Sequence, residues 1–207
     1  MAKTLTAQSK RDLLLRSSAS TWNRERWAQI GDDGNRYEVI DGVLYMSSVP
    51  RPLHQLVSRQ ILRQCYRQLD DQRFGLTLHA PIGLFMPGCD PVQPDLLVIR
   101  TEDLDMIRNE GIEGIPAPLV EILSPSNRAH DLITKLAAYA RAGVPEYWVF
   151  RPQERDVLVH SNPEPATGLY LQVTHIPPDG ELVSPTLPFR APVSSFFPDF
   201  PMRSGDE

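Results

Sequence analysis

An α/β (α+β) fold is what this sequence predicts, and three observations carry it. β-prone runs flank Asp41-Gly42, apolar residues recur at helical spacing over 54–69 and 128–142, and apolar runs at Asp95–Ile99, Leu119–Leu123 and Glu146–Phe150 read as buried strands. A chain of 207 residues, 41% apolar and 23% charged, suits one substantial core and is too short for two full domains. We therefore expect an N-terminal arm over 1–20, one domain over 21–200 and a short tail over 201–207.

The arm is polar except for Leu13-Leu-Leu15, and should be mobile or docked as a short helix. Trp22, Trp27 and Ile30 suggest a short helix closed by the loop Gly31-Asp-Asp-Gly34, with the tryptophans as core or interface residues. Tyr37–Met46 reads as an N-terminal β-hairpin, because Asp-Gly favours the tight turn whose twist matches that of the strands. Pro50 and Pro52 end its second strand. Leu56, Val57, Ile61, Leu62, Tyr66 and Leu69 then mark one face of an amphipathic helix over 54–69.

Gly75–Phe85 alternates in part and reads as one strand, turned by Pro87-Gly88 towards Asp95. Residues 100–117 read as a long connection with at most one helical turn. After the run holding Glu121, Ser124-Pro-Ser-Asn127 supplies cap residues for a helix over Arg128–Ala142. Leu132, Ile133, Leu136, Tyr139 and Ala140 share its apolar face, and Gly143 and Pro145 stop it. Val157–His160, Leu169–Ile176 and Glu181–Val183 read as extra C-terminal antiparallel strands, and the proline-rich stretch from Pro185 should wrap the surface.

Several function classes are disfavoured at once. No apolar run approaches the roughly 18 to 20 residues that span a bilayer, and Met1–Lys10 lacks the apolar centre of a signal peptide, so no membrane and a cytoplasmic location are expected. Cys65 and Cys89 make neither a disulfide framework nor a zinc site. A net charge of −5 argues against a strongly basic nucleic-acid binder, although a local basic surface such as Arg59, Arg63 and Arg67 on one helix can coexist with it.

The chemistry gathers at two acids. Asp95 opens one aliphatic run and Glu121 sits inside another, and a carboxylate in a buried strand needs a partner, either a cation or a metal ion. Two carboxylates on neighbouring strands can hold a hard divalent cation and leave positions for water and a phosphate. On the following helix Lys135 lies about 90° from the centre of the apolar stripe at about 100° per residue, so its ammonium can reach the same place while its stem follows the core edge. Asp131, one turn earlier, is its alternative partner.

The blocks Tyr37-Glu-Val-Ile-Asp-Gly42, His54-Gln55, Gln93-Pro-Asp95, Val120-Glu-Ile-Leu-Ser-Pro-Ser126, Asp131 with Lys135, and Tyr139-Ala-Arg-Ala-Gly-Val-Pro-Glu-Tyr-Trp148 together resemble the Uma-type restriction-endonuclease family of the PD-(D/E)XK nuclease superfamily. The resemblance spans roughly residues 21 to 200, and the ordered series of blocks carries more weight than the short superfamily motif. It implies a restriction-endonuclease-like core, a mixed central β-sheet flanked by helices, with Asp95 and Glu121 as Mg²⁺ ligands for phosphodiester hydrolysis. The superfamily's usual lysine, two residues after the acid, falls at Leu123 here. Family members similarly keep a lysine on the next helix, which makes Lys135 the replacement. By the same resemblance Glu38 and His54 complete the site, and Gln93 orients substrate or water.

The expected function is a Mg²⁺-dependent DNA endonuclease, with Mn²⁺ as a substitute ion; the alternative is a catalytically silent nucleic-acid- or protein-binding module that keeps the fold. A carboxylate-pair glycoside hydrolase would leave Lys135 unused. A homodimer is suggested by the Trp22–Trp27 segment and by the two strands of a duplex substrate.

Overall fold

The computed structural model describes residues 15–16, 21–31, 33–47, 49–125 and 127–199. Strand β1 (Leu15–Arg16) and helix α1 (Arg24–Ala28) come first. Asn23 caps α1 by accepting from the Arg26 N–H. The hairpin follows as β2 (Arg36–Ile40) and β3 (Val43–Ser47), and both turn residues take positive φ, 50° at Asp41 and 76° at Gly42, as a type I′ turn requires. Helix α2 (Pro52–Cys65) begins with proline, whose missing N–H costs nothing in a first turn, and continues into a wide π turn over Tyr66–Asp70.

Next come β4 (Gly75–His79), β5 (Leu84–Met86), β6 (Cys89–Val92) and β7 (Leu96–Arg100). The stretch read as one strand over 75–85 is thus two strands that join different sheets, divided at Pro81, which has no N–H to give a ladder. The 100–117 connection is also more ordered than its composition suggests. It holds a 3₁₀ turn over Thr101–Met106 and a small hairpin of β8 (Ile107–Arg108) and β9 (Gly111–Glu113). Strand β10 (Leu119–Ile122), a π turn over His130–Lys135 and helix α3 (Leu136–Ala142) follow, and Gly143 ends α3 in the left-handed region at φ 84°. The chain continues through β11 (Glu146–Arg151), β12 (Asp156–Glu164), β13 (Leu169–Ile176), β14 (Glu181–Val183) and β15 (Arg190–Pro192).

These strands make a mixed six-stranded sheet in the order β13-β12-β11-β10-β7-β4, a seven-stranded sheet in the order β1-β3-β2-β6-β5-β9-β8, and the small pair β14-β15. In the six-stranded sheet β10 and β11 are parallel, with α3 in their crossover, and the other pairs are antiparallel. Both faces of its middle are buried. Leu96, Val98, Val120, Ile122, Trp148 and Phe150 face a layer containing Val57, Ile61 and Cys65 of α2, while Leu97, Ile99, Leu119, Tyr147 and Val149 face α3 and the inner side of the seven-stranded sheet. This is why the strands read as unbroken apolar runs rather than alternating ones.

Two sequence expectations change on packing. The stretch from Pro185 does more than wrap a surface: Phe189, Phe196 and Phe197 are buried against the α2 layer, each contributing about 1.5 to 3 kcal/mol of apolar burial. Ile133, expected on the apolar face, is 68% exposed, whereas Lys135 is 3% exposed. The π turn changes the angular step of the helix, so the residues there leave the phase that an α-helix would impose. Trp22 and Trp27 are only half-buried, the latter donating Nε1–H to Tyr37 O at 3.1 Å. Cys65 and Cys89 are free and lie in different core layers, with Cys89 at the start of β6. Among the described residues no helix is long and apolar enough to cross a membrane. Apart from β1, the expected arm over 1–20 lies outside the described residues, as does the tail over 201–207.

Candidate active site

The register of β7 and β10 brings the two acids together. Leu97 pairs with Leu119 and Leu96 with Val120 in an antiparallel ladder, and extending it by one residue sets Asp95 opposite Glu121. Residues opposite one another in such a ladder project on the same face, with Cβ atoms about 4.5 to 5.5 Å apart. Asp95 Oδ2 also accepts the Ile122 backbone N–H at 2.9 Å, which fixes the carboxylate against β10.

Lys135 closes the group from the π turn. Its Nζ lies 2.8 Å from Glu121 Oε1, 2.9 Å from Glu38 Oε1 and 3.9 Å from Asp131 Oδ1. Tyr139, four residues further along, donates its hydroxyl to the same Glu121 oxygen at 3.1 Å. Burial alone would lower the lysine's pKa, but Glu121, Glu38 and Asp131 outweigh it and hold it above the ordinary lysine range. The three carboxylates around Lys135 thus favour its ammonium form.

The carboxylates divide. Burial works against ionised Glu38, but Lys135, His130 and Arg36 hold it below the usual carboxylate range, and Asp95 is likewise held down by His54, Arg36 and the Ile122 N–H. Burial pushes Glu121 up to about 7, with Lys135 opposing and Asp95 and Glu38 adding to the rise. Asp131 is raised well above its usual value by burial and by Glu121.

His54, in the first turn of α2, places Nε2 2.9 Å from Asp95 Oδ2. Asp95, Glu121, Lys135, His54, Arg36, Arg51, Ser124 and Asn127 line one cleft. Glu38 lies behind it at 1% exposure, holding Lys135 and accepting the Gln93 N–H at 2.7 Å. Gln93 is not among the residues that line the cleft; its amide Nε2 donates to Tyr37 O at 3.2 Å.

Three residues join the group without having been singled out for it. Arg36 stands two residues before Glu38, hence on the same face of β2, and reaches Asp95 Oδ1 at 3.6 Å while donating to Gln93 O at 2.7 Å. Strand alternation around Glu38 is the signal that could have found it. Tyr139 was legible only as an apolar-face residue, because nothing in a helical period reveals where a phenol donates. His130 is buried 3.4 Å from Glu38 Oε2 with its ring on Tyr45.

A hard divalent cation fits Asp95 and Glu121. Among the described residues Glu121 Oε2 accepts no hydrogen bond, and Asp95 Oδ1 meets only the longer Arg36 contact, so each acid has an oxygen available at the cleft they both line. Among the described residues no group of three or more His, Cys, Asp or Glu is placed to hold a metal. A pair of oxygen ligands of this kind suits an ion that keeps waters and takes the rest of its shell from a phosphate.

Comparison with known proteins gives two results. The family model Uma2, described as "Putative restriction endonuclease", matches residues 24–194. A solved structure from Anabaena variabilis ATCC 29413, described as a "putative nuclease belonging to DUF820", is similar with a TM-score of 0.71 and 16% identity, covering 85% of this chain and 97% of that one. At that identity the likeness concerns the fold. No curated protein is significantly similar in sequence.

Proposed function

Since the chain belongs to the Uma2 family of restriction-endonuclease-like proteins, we propose that it is a metal-dependent nuclease that hydrolyses phosphodiester bonds of DNA, with Mg²⁺ as its ion and Mn²⁺ as a substitute. One observation carries the reading: a buried ammonium, Lys135, bonded to one of two facing carboxylates at the wall of an open cleft.

Asp95 and Glu121 would hold the cation, which when bound supplies Lewis-acid stabilisation of phosphoryl oxygens and makes water more acidic. Lys135 holds Glu121 in place and sets a positive charge beside the position where negative charge grows during attack. Glu38 keeps that ammonium charged and fixed, so no reorganisation is needed at the moment of reaction. His54 and the Ile122 N–H orient Asp95, and Tyr139 orients Glu121. From its place between Glu121 and Glu38, Lys135 would orient the attacking water and offset charge.

The test is to incubate the pure protein with supercoiled plasmid plus Mg²⁺ or Mn²⁺, beside Asp95→Ala and Glu121→Ala. Ion-dependent nicking by wild type and none by either variant supports the reading. Equal nicking by all three proteins sinks it.

A further inference from the structure

Helix α2 carries a row of arginines that the site does not use. Arg59, Arg63 and Arg67 recur every four residues, the third in the π turn that prolongs the helix, and all three are exposed. Among the described residues none of their guanidinium groups forms a hydrogen bond or an ion pair. From Gly42 through Leu69 the chain contains no Asp or Glu, although the whole has 26 acidic residues and a net charge of −5.

Such a row does not serve the helix. Like charges at i and i+4 destabilise it, and only the residues nearest the C-terminus gain from the helix dipole, which leaves Arg59 at mid-helix without compensation. Nor does the row serve the core, since Val57, Ile61 and Cys65 bury the opposite side of α2. The row begins at the site. Arg51 and His54, at the start of α2, line the cleft with Asp95 and Glu121, and exposed Gln55 continues from Arg51 by the same four-residue step.

We propose that Arg59, Arg63 and Arg67 of α2 form a phosphate-binding rail that holds the backbone of a nucleic-acid strand beside the cleft. This rests on the nuclease reading for the identity of the polyanion. Guanidinium groups at this spacing pair with successive phosphates without reading bases, so the rail supplies affinity independent of sequence. In an acidic protein it marks a side from which a strand is drawn in.

The test is duplex binding by fluorescence anisotropy in Ca²⁺ across a salt series, comparing wild type with Arg59→Gln/Arg63→Gln/Arg67→Gln, since glutamine keeps helix propensity. Each lost phosphate contact lowers the slope of log K against log salt by about 0.9, so the triple variant should lose about 2.7. If the triple variant does not fold by circular dichroism, Arg59→Gln and Arg63→Gln singly should each lose about 0.9. Hydrolysis of bis(p-nitrophenyl) phosphate in Mn²⁺, too small a substrate to reach the row, should be unchanged.

An unchanged slope overturns the rail, as does absence of duplex binding by wild type. So does binding to anionic phosphatidylserine vesicles that the triple variant loses while its duplex binding stays intact. A reduced slope in a protein that cuts neither substrate supports the rail and removes the catalytic reading instead.

Discussion

The Lys135 ammonium sits 2.8 Å from Glu121 Oε1, although fourteen residues and a wide helical turn separate the two in the chain. In the proposed nuclease that contact takes the place of a lysine at Leu123, which lies two residues after Glu121 and in the same core layer as Tyr139. Removing it should cost both activity and stability. Lys135→Met should lower nicking by about 10²- to 10³-fold, the usual effect of losing one preorganised donor. It should also cost about 3 to 5 kcal/mol in urea unfolding, because buried carboxylates lose their cation. Adding Leu123→Lys to that variant should restore part of the nicking, since a side chain at 123 shares the face of Glu121; no restoration would mean that the helix position itself matters.

His54 and Tyr139 each hydrogen-bond one of the two acids. His54→Gln and Tyr139→Phe should each raise the Mn²⁺ concentration needed for half-maximal cleavage by about 10- to 100-fold, the usual effect of removing such a supporting hydrogen bond. Tyr139→Phe keeps the ring packed edge-on against Tyr147 at 5.1 Å, so its unfolding free energy should fall by only about 1 kcal/mol. A large loss of stability with no change in metal requirement would make Tyr139 purely structural.

Ile133 reports on the phase of the π turn. At 68% exposure its replacement by Ser should change stability by less than about 0.5 kcal/mol, whereas Leu136→Ala on the packed side should cost about 2 kcal/mol or more. Equal costs at both positions, measured by urea denaturation, would restore the regular α-helical phase.

Glu146 sets part of the pH dependence of stability. It is fully buried and accepts from Ser184 Oγ at 2.7 Å, Thr186 Oγ1 at 2.6 Å and Trp148 Nε1 at 2.5 Å. Burial nonetheless raises its pKa, only partly offset by those donors. An acid whose folded pKa exceeds its unfolded value, about 4.3 for glutamate, binds its proton more tightly in the folded state. Its contribution to stability is complete below the unfolded value and is lost as pH rises through the folded one. Glu146→Gln should therefore flatten the decline in urea midpoint from about pH 4.3 upward; an unchanged decline would place its origin elsewhere.

Much of the site was legible because its signals are local. Asp41-Gly42 dictates a hairpin turn, Gly143 a helix end, and a carboxylate inside an aliphatic run is conspicuous by its cost, so the hairpin, the helices and the pair Asp95 and Glu121 all followed from the residues. Lys135 followed from the helix and from the gap at Leu123. What escaped depends on contacts between distant segments. A helical period does not announce a π turn, so Ile133 was placed inward. Nothing near Pro81 tells which sheet each half of the 75–85 run will join, and Gln93, next to Pro94-Asp95, gives no sign that its amide will turn to the Tyr37 carbonyl. The seven-stranded sheet, whose strands are two to five residues long, lies below what alternation alone can mark.

The most direct measurement of the central claim, that Asp95 and Glu121 form one metal site, is isothermal titration of Mn²⁺ into wild type, Asp95→Asn and Glu121→Gln, each first shown folded by circular dichroism. The account predicts one ion per chain in wild type and loss of that binding in both variants. Binding of equal affinity in all three proteins, or none in wild type, would contradict it.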